Sequence, residues 1–192
     1  MINFLLVGIC ILMFVISFFV PQLYYYFALW PNLVIHMPWQ IITSIFMHAN
    51  ITHLLINMFV LFLFGTYLEK IIGSKKYLLI FLLSGIVGNL AYVIYAYITG
   101  DFIPSVGASG AIFGILGTLA VIAPNLRVVV FPLPIPVSIR IAVVLFALID
   151  LILLPYSMKT GIAHITHLTG LITGIIFGLY LHKKYKHIND FI

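Results

Sequence analysis

The sequence predicts an all-α membrane protein, a bundle of six transmembrane helices in one domain spanning residues 1–192. Three observations predict it. Hydrophobic residues make up 64% of the chain and charged residues only 7%. A soluble domain carries about 25% charged residues, so this chain cannot cover a water-facing surface. Six apolar stretches approach the roughly 20 residues that a spanning helix needs. The segments between them carry the prolines that stop helices and the lysines and arginines that mark membrane faces.

The first stretch, residues 4–20, has no Lys or Arg before it and no small-residue cleavage site after it, and Pro21 follows directly. It is expected to be a retained helix rather than a signal peptide. Its Cys10 is the single cysteine, which excludes an intrachain disulfide and reads as a packing or lipid-facing residue. Residues 21–40 are aromatic, with three prolines and no Lys or Arg, and are expected to lie in the membrane interface. The second stretch is 53–72 and the third 77–98. The fourth, 106–123, follows a short loop ending in Pro104 and stops at Ala123-Pro124-Asn125. The fifth, 139–154, follows Pro132-Leu133-Pro134-Ile135-Pro136, and the sixth is 161–181. The fifth is the shortest. It is expected to pack loosely, leaving a passage beside it, between spans two and five.

The basic residues orient these spans. Lys70, Lys75 and Lys76 flank the turn after span two, Arg127 and Arg140 the turn after span four, and Lys183, Lys184 and Lys186 follow span six. Lys159 alone lies on the other side. The positive-inside rule then places those turns and both termini in the cytoplasm. The net charge of +5 is scattered through an apolar chain. It is a topology signal rather than a nucleic-acid footprint, and residues 182–187 read as a solvated cytoplasmic end beside anionic lipid.

In such a chain the informative residues are polar ones at depth. Gly107-Ala108-Ser109-Gly110 opens span four. Free backbone N–H groups and the positive end of the dipole gather at a helix N-terminus, a setting that stabilises an oxyanion beside a serine. Gly110, Gly114 and Gly117 also fit a close-packing stripe, and the motif alone does not choose. In span six, His167, Gly170, Gly174 and Gly178 share one helix face, which would hold His167 against a partner helix. A neutral histidine in reach of Ser109 takes its proton and returns it to the leaving amine. A hydrogen-bonded core histidine is the plainer reading. His164 and His167, three apart, also raise a metal reading, but no Cys, Asp or Glu lies close in sequence to complete a ligand set, so no metal is expected. In span two, His53 and Asn57 lie four apart on one face, two donors able to bind the oxygen of a tetrahedral intermediate or to join helices. Glu69 reads as a structural anchor beside Lys70. Asp150 is open to two readings, a third group orienting His167 or a structural residue near the outer surface. Ser109, His167, His53 and Asn57 come from three spans, yet each falls in the outer half under a topology derived from Lys and Arg alone.

The ordered set resembles the rhomboid proteases of the prokaryotic six-helix type: Trp39, His48, His53-x-x-x-Asn57, Gly65 with Glu69 and Gly73, Gly107-Ala108-Ser109-Gly110 with Phe113, and His167-x-x-Gly170-x-x-x-Gly174. The proline-rich turn is similar to that of archaeal members. The resemblance implies a Ser109–His167 dyad with no required third acid. It implies an oxyanion hole from His53, Asn57 and the Ser109 backbone N–H, and Phe113 stacked on the histidine. Cleavage of transmembrane protein substrates in the cell membrane, without cofactor, is the implied activity. Many members carry Trp-Arg where this chain has Trp39-Gln40, and Gln40 cannot supply that charge for anchoring residues 21–40. Two other function classes compete. One is a catalytically inactive relative that binds membrane clients, separated by activity on a transmembrane substrate. The other is a small transporter, disfavoured by the lack of an inverted repeat and of intramembrane carboxylates apart from Asp150.

Overall fold

The computed structural model describes residues 1–130 and 135–185. The elements are α1 (Ile2–Phe19), α2 (Gln22–Phe27), α3 (Gln40–Thr43), α4 (Ile51–Val60), α5 (Thr66–Ile72), α6 (Ser74–Thr99), α7 (Ser109–Ile122), α8 (Ile139–Leu153), α9 (Ser157–Thr160) and α10 (His164–Tyr185). A π-helical turn at Leu61–Gly65 joins α4 to α5 without breaking the rod. Among the described residues, five helical rods are long and apolar enough to cross a membrane: Ile2–Phe19, Ile51–Ile72, Ser74–Thr99, Ile139–Thr160 and His164–Tyr185. Their outward faces are apolar and exposed, with Phe59, Ile94, Ile152 and Leu179 among the side chains left bare. This is the pattern of helices solvated by hydrocarbon.

The expected short span was the fifth, and the structure reverses this. Ile139–Thr160 runs for 22 residues, because Pro155 sits at the start of a 3₁₀ turn, Leu154–Tyr156. A proline there needs no N–H partner, so it does not end the rod. The short helix is α7, with 14 residues, or about 21 Å of rise. It starts at Ser109 rather than at residue 106 because Gly107 has φ +124, outside the helical region. Between α7 and α8 the chain forms a small antiparallel ribbon, β1 (Arg127–Val129) on β2 (Pro136–Ser138), where only a break was expected. Pro136 is the first residue of its strand, a position that spares a ladder donor. Pro132, Pro134, Lys186 and His187 lie outside the described residues.

The centre of the bundle is α7, buried along nearly its whole length. Its glycines set how closely the neighbours approach. A Cβ on Gly170 or Gly174 of α10 would fall on the carbonyl of Gly110 or Gly114 of α7. Thr118 Oγ1 bridges the two helices, 2.9 Å from the carbonyl oxygens of both Gly114 and Gly174. The small-residue stripe of span four is therefore a packing face, and it sits directly below Ser109.

Buried polar side chains tie the periphery to this centre. Glu69 accepts from the Ile2 and Asn3 N–H groups at 2.7 and 2.9 Å. It thus caps α1 from a different helix, the anchoring role its sequence position suggested. Asn3 was not singled out from the sequence. It is fully buried and donates to the Leu61 carbonyl at 3.0 Å, beside the π turn, and to Thr66 Oγ1 at 2.9 Å. Gln40 corrects the concern about anchoring. It is fully buried, donates to the Tyr25 carbonyl at 2.9 Å and accepts from the Trp30 N–H at 3.1 Å. A neutral amide holds residues 21–40 because it meets a donor and an acceptor at once, which a cation does not.

Candidate active site

The N-termini of α4, α7 and α10 and the C-terminus of α8 lie at one end of the bundle. Lys70, Arg140, Lys183 and Lys184 lie at the opposite ends of these rods, α5 continuing α4, and Lys75 and Lys76 open α6 just after Lys70. Ser109, the first residue of α7, is half-buried there. Its Oγ is 2.8 Å from His167 Nε2, on the first turn of α10. The glycine contacts between α7 and α10 account for this distance, since no side chain separates the two backbones.

Phe113, one turn after Ser109, stacks on the His167 ring with centroids 4.4 Å apart and planes 7° from parallel. It leaves the imidazole little freedom to rotate away from Ser109. A cavity of about 1090 Å³ opens over this pair, lined among others by His53, Asn57, Ser109, Phe113, Phe146 and His167. The four residues read from three separate spans therefore share one space. His53 approaches Gly107 so closely that a Cβ there would stand 2.7 Å from its Nε2. This gives the glycine a second reason beyond its positive φ. Asn50 caps α4 by accepting from the His53 N–H at 2.9 Å. Asn57 Nδ2 donates to the His53 carbonyl at 2.8 Å, which leaves its second N–H uncommitted. At the N-terminus of α7, the first N–H groups have no intrahelical acceptor.

The supporting residues divide by role. Gly110, Gly170 and Gly174 set the α7–α10 distance, as above. His48 is buried and lies edge-on to His53 with centroids 5.1 Å apart. It lines a second, smaller cavity rather than the one over Ser109, so it supports His53 and touches no reacting group.

One site residue exceeds what the resemblance implied. Asp150, near the C-terminal end of α8, is buried and lies 3.2 and 3.3 Å from His167 Nδ1 through its two oxygens. Its Oδ1 is 2.5 Å from His164 Nδ1. The fold brings this carboxylate to both histidines from 14 residues upstream of His164, beyond the near sequence in which no ligand-forming acid was found. The three side chains are packed as hydrogen-bond partners. Two ligands on one zinc ion would stand about 3.3 Å apart, so an ion between Asp150 and His164 would have to push them open. The only signal in the sequence was that Asp150 is one of four acidic residues and falls inside an apolar stretch.

Fold and site together define a multi-pass membrane protein with a serine–histidine pair inside its helical bundle. The chain belongs to the rhomboid family: residues 36–184 match the Rhomboid domain. It is 42% identical over 89 residues to Rhomboid protease GluP of Bacillus subtilis (strain 168), covering 46% of this chain and 17% of that protein. It is 32% identical over 147 residues to Rhomboid protein 1, mitochondrial, of Saccharomyces cerevisiae, covering 75% of this chain and 42% of the relative. To RHOMBOID-like protein 6, mitochondrial, of Arabidopsis thaliana it is 32% identical over 143 residues, covering 74% and 43%. The chain spans less than half the length of each of these relatives.

Proposed function

We propose that the protein is an intramembrane serine endopeptidase acting on transmembrane proteins. The observation that carries this reading is the Ser109 Oγ–His167 Nε2 contact of 2.8 Å, made inside a bundle of membrane-length helices. Ser109 attacks the scissile carbonyl carbon while His167 Nε2 takes its proton. His167 then passes that proton to the leaving amine, and water hydrolyses the acyl-serine by the reverse exchange. The N–H of Ser109 at the free helix terminus, with the His53 ring and Asn57 amide, faces the developing oxyanion. No cofactor takes part.

The topology belongs to the same reading. The chain crosses the membrane six times with both termini in the cytoplasm, the short α7 being the fourth crossing. At about 21 Å, α7 falls short of a hydrocarbon core of about 30 Å. Its N-terminus, with Ser109, therefore lies below the outer surface, where the cavity admits water. A bacterial relative supports placement in a cell membrane, although mitochondrial relatives also match.

A serine-directed fluorophosphonate probe tests the nucleophile. Labelling is expected on the parent and absent from Ser109→Ala and His167→Ala, each of which also loses cleavage of a transmembrane substrate. The double variant should be no worse than either, since the pair acts as a unit. Parental cleavage by Ser109→Ala would overturn the assignment. A folded parent that takes no label and cleaves nothing would favour an inactive client-binding relative.

A further inference from the structure

We propose that Asp150 is the positioning residue for His167, and that His164 holds Asp150 in place for that task. The proposal rests on the protease reading and deepens it from a serine–histidine pair to a hydrogen-bonded chain across α7, α10, α8 and α9. Starting from the reacting atom, Ser109 Oγ meets His167 Nε2 at 2.8 Å, and His167 Nδ1 meets Asp150 at 3.2 and 3.3 Å. Asp150 Oδ1 meets His164 Nδ1 at 2.5 Å, and His164 Nε2 meets Thr160 Oγ1 at 3.0 Å.

The directions of these bonds follow from the donors available. An ionised carboxylate only accepts, so both Nδ1 atoms facing Asp150 carry hydrogens. Turning His164 over electronically, with its lone pair on Nδ1, would set that lone pair against a carboxylate oxygen at 2.5 Å. The His164 Nε2 lone pair is then free to accept from the Thr160 hydroxyl. By the same rule His167 carries its hydrogen on Nδ1, which leaves the Nε2 lone pair aimed at Ser109. This is the tautomer a general base needs. Asp150 and His164 are 5% and 2% exposed, so water competes little for these bonds. A buried carboxylate with fewer than two such partners would be costly, which is the reason for the second histidine. When His167 takes the Ser109 proton it becomes an imidazolium. Asp150 stays ionised and stabilises that charge, and the proton leaves with the amine.

A purely structural alternative is that Asp150 only anchors α8 to α10 through His164. The test separates the two. In Asp150→Asn the side chain keeps its shape but loses its charge. With a transmembrane substrate, kcat is expected to fall about 10²–10⁴-fold, the range of general acid–base assistance, with KM and thermal unfolding unchanged. His164→Ala is expected to cost about 10–100-fold, as for outer partners that orient a working ligand. A kcat for Asp150→Asn within threefold of the parent would overturn the proposal, as would a loss matched by equal loss of fold. Histidine ¹⁵N NMR of the purified protein in micelles, with His167 assigned by a His167→Gln variant, decides the point without any substrate. The parent should show His167 hydrogenated at Nδ1 and bare at Nε2, and Asp150→Ala should lose that preference. Nε2–H in the parent would overturn the positioning role. The reading of Ser109 as nucleophile would fail separately, through parental cleavage by Ser109→Ala.

Discussion

Gly174→Ala adds one methyl group seven residues from His167, and the structure sets its consequence. The new Cβ would overlap the Gly114 carbonyl and crowd its Cα and carbonyl carbon. All three are backbone atoms of a buried helix, so no side chain can swing aside. Relief requires α7 and α10 to separate. Overpacking of this kind costs about 1–3 kcal/mol, and the Thr118 bridge to the Gly174 carbonyl at 2.9 Å is stretched as well. Gly174 lies about 10.5 Å along α10 from His167, within one rigid rod, so the separation carries upward to the site. The Ser109–His167 contact is 2.8 Å, and opening it by about 1 Å is expected to lower the rate on the order of 10²-fold. Thermal unfolding in micelles and the rate of fluorophosphonate labelling measure the two effects on one preparation. Gly8→Ala is the control. A Cβ at Gly8 meets nothing within 4 Å, so neither readout should fall. Parental stability and labelling in Gly174→Ala would refute the claim that this glycine contact holds the site together.

His53→Ala and Asn57→Ala should each slow substrate cleavage by up to about 10²–10³-fold, the usual cost of one oxyanion donor, while Ser109 still takes the probe. Parental rates in both would reduce these residues to helix-joining ones. Gln40→Ala leaves the Trp30 N–H and the Tyr25 carbonyl without their partner in a partly buried site and should lower stability by about 1 kcal/mol, read as a drop in thermal unfolding temperature. Passage of substrate between spans two and five now rests on the cavity that Ile56, Asn57 and Val60 of α4 share with Val143 and Phe146 of α8, not on a short fifth span. Phe146→Ala should speed cleavage of a full transmembrane substrate. Unchanged cleavage with a disulfide locking α4 to α8, in a variant lacking Cys10, would reject that route.

Hydrophobic stretches and the placement of Lys and Arg are local properties, and they sufficed to read membrane helices and the end of the bundle at which Ser109 and His167 meet. The His53–Asn57 pair and the face shared by His167, Gly170 and Gly174 were legible for a similar reason. A helix converts a spacing of three or four residues into a common direction without help from the rest of the chain. The start of α7 at Ser109 was approximately legible, because a glycine-rich entrance to an apolar run implies a terminus. What only the tertiary structure decided are contacts between groups far apart in sequence whose partners no periodicity names. Asp150 reaches His167 because α8, which carries it, packs beside α10. Glu69 and Asn3 meet across 66 residues because α1 lies against α5. Gln40 replaces an expected cation because two backbone groups of a folded loop present one donor and one acceptor to it. Apolar solvent selects for helices along the chain one segment at a time. Buried polar groups are satisfied only by whichever neighbours the packed helices bring within about 3 Å, and that pairing exists only once the bundle has formed.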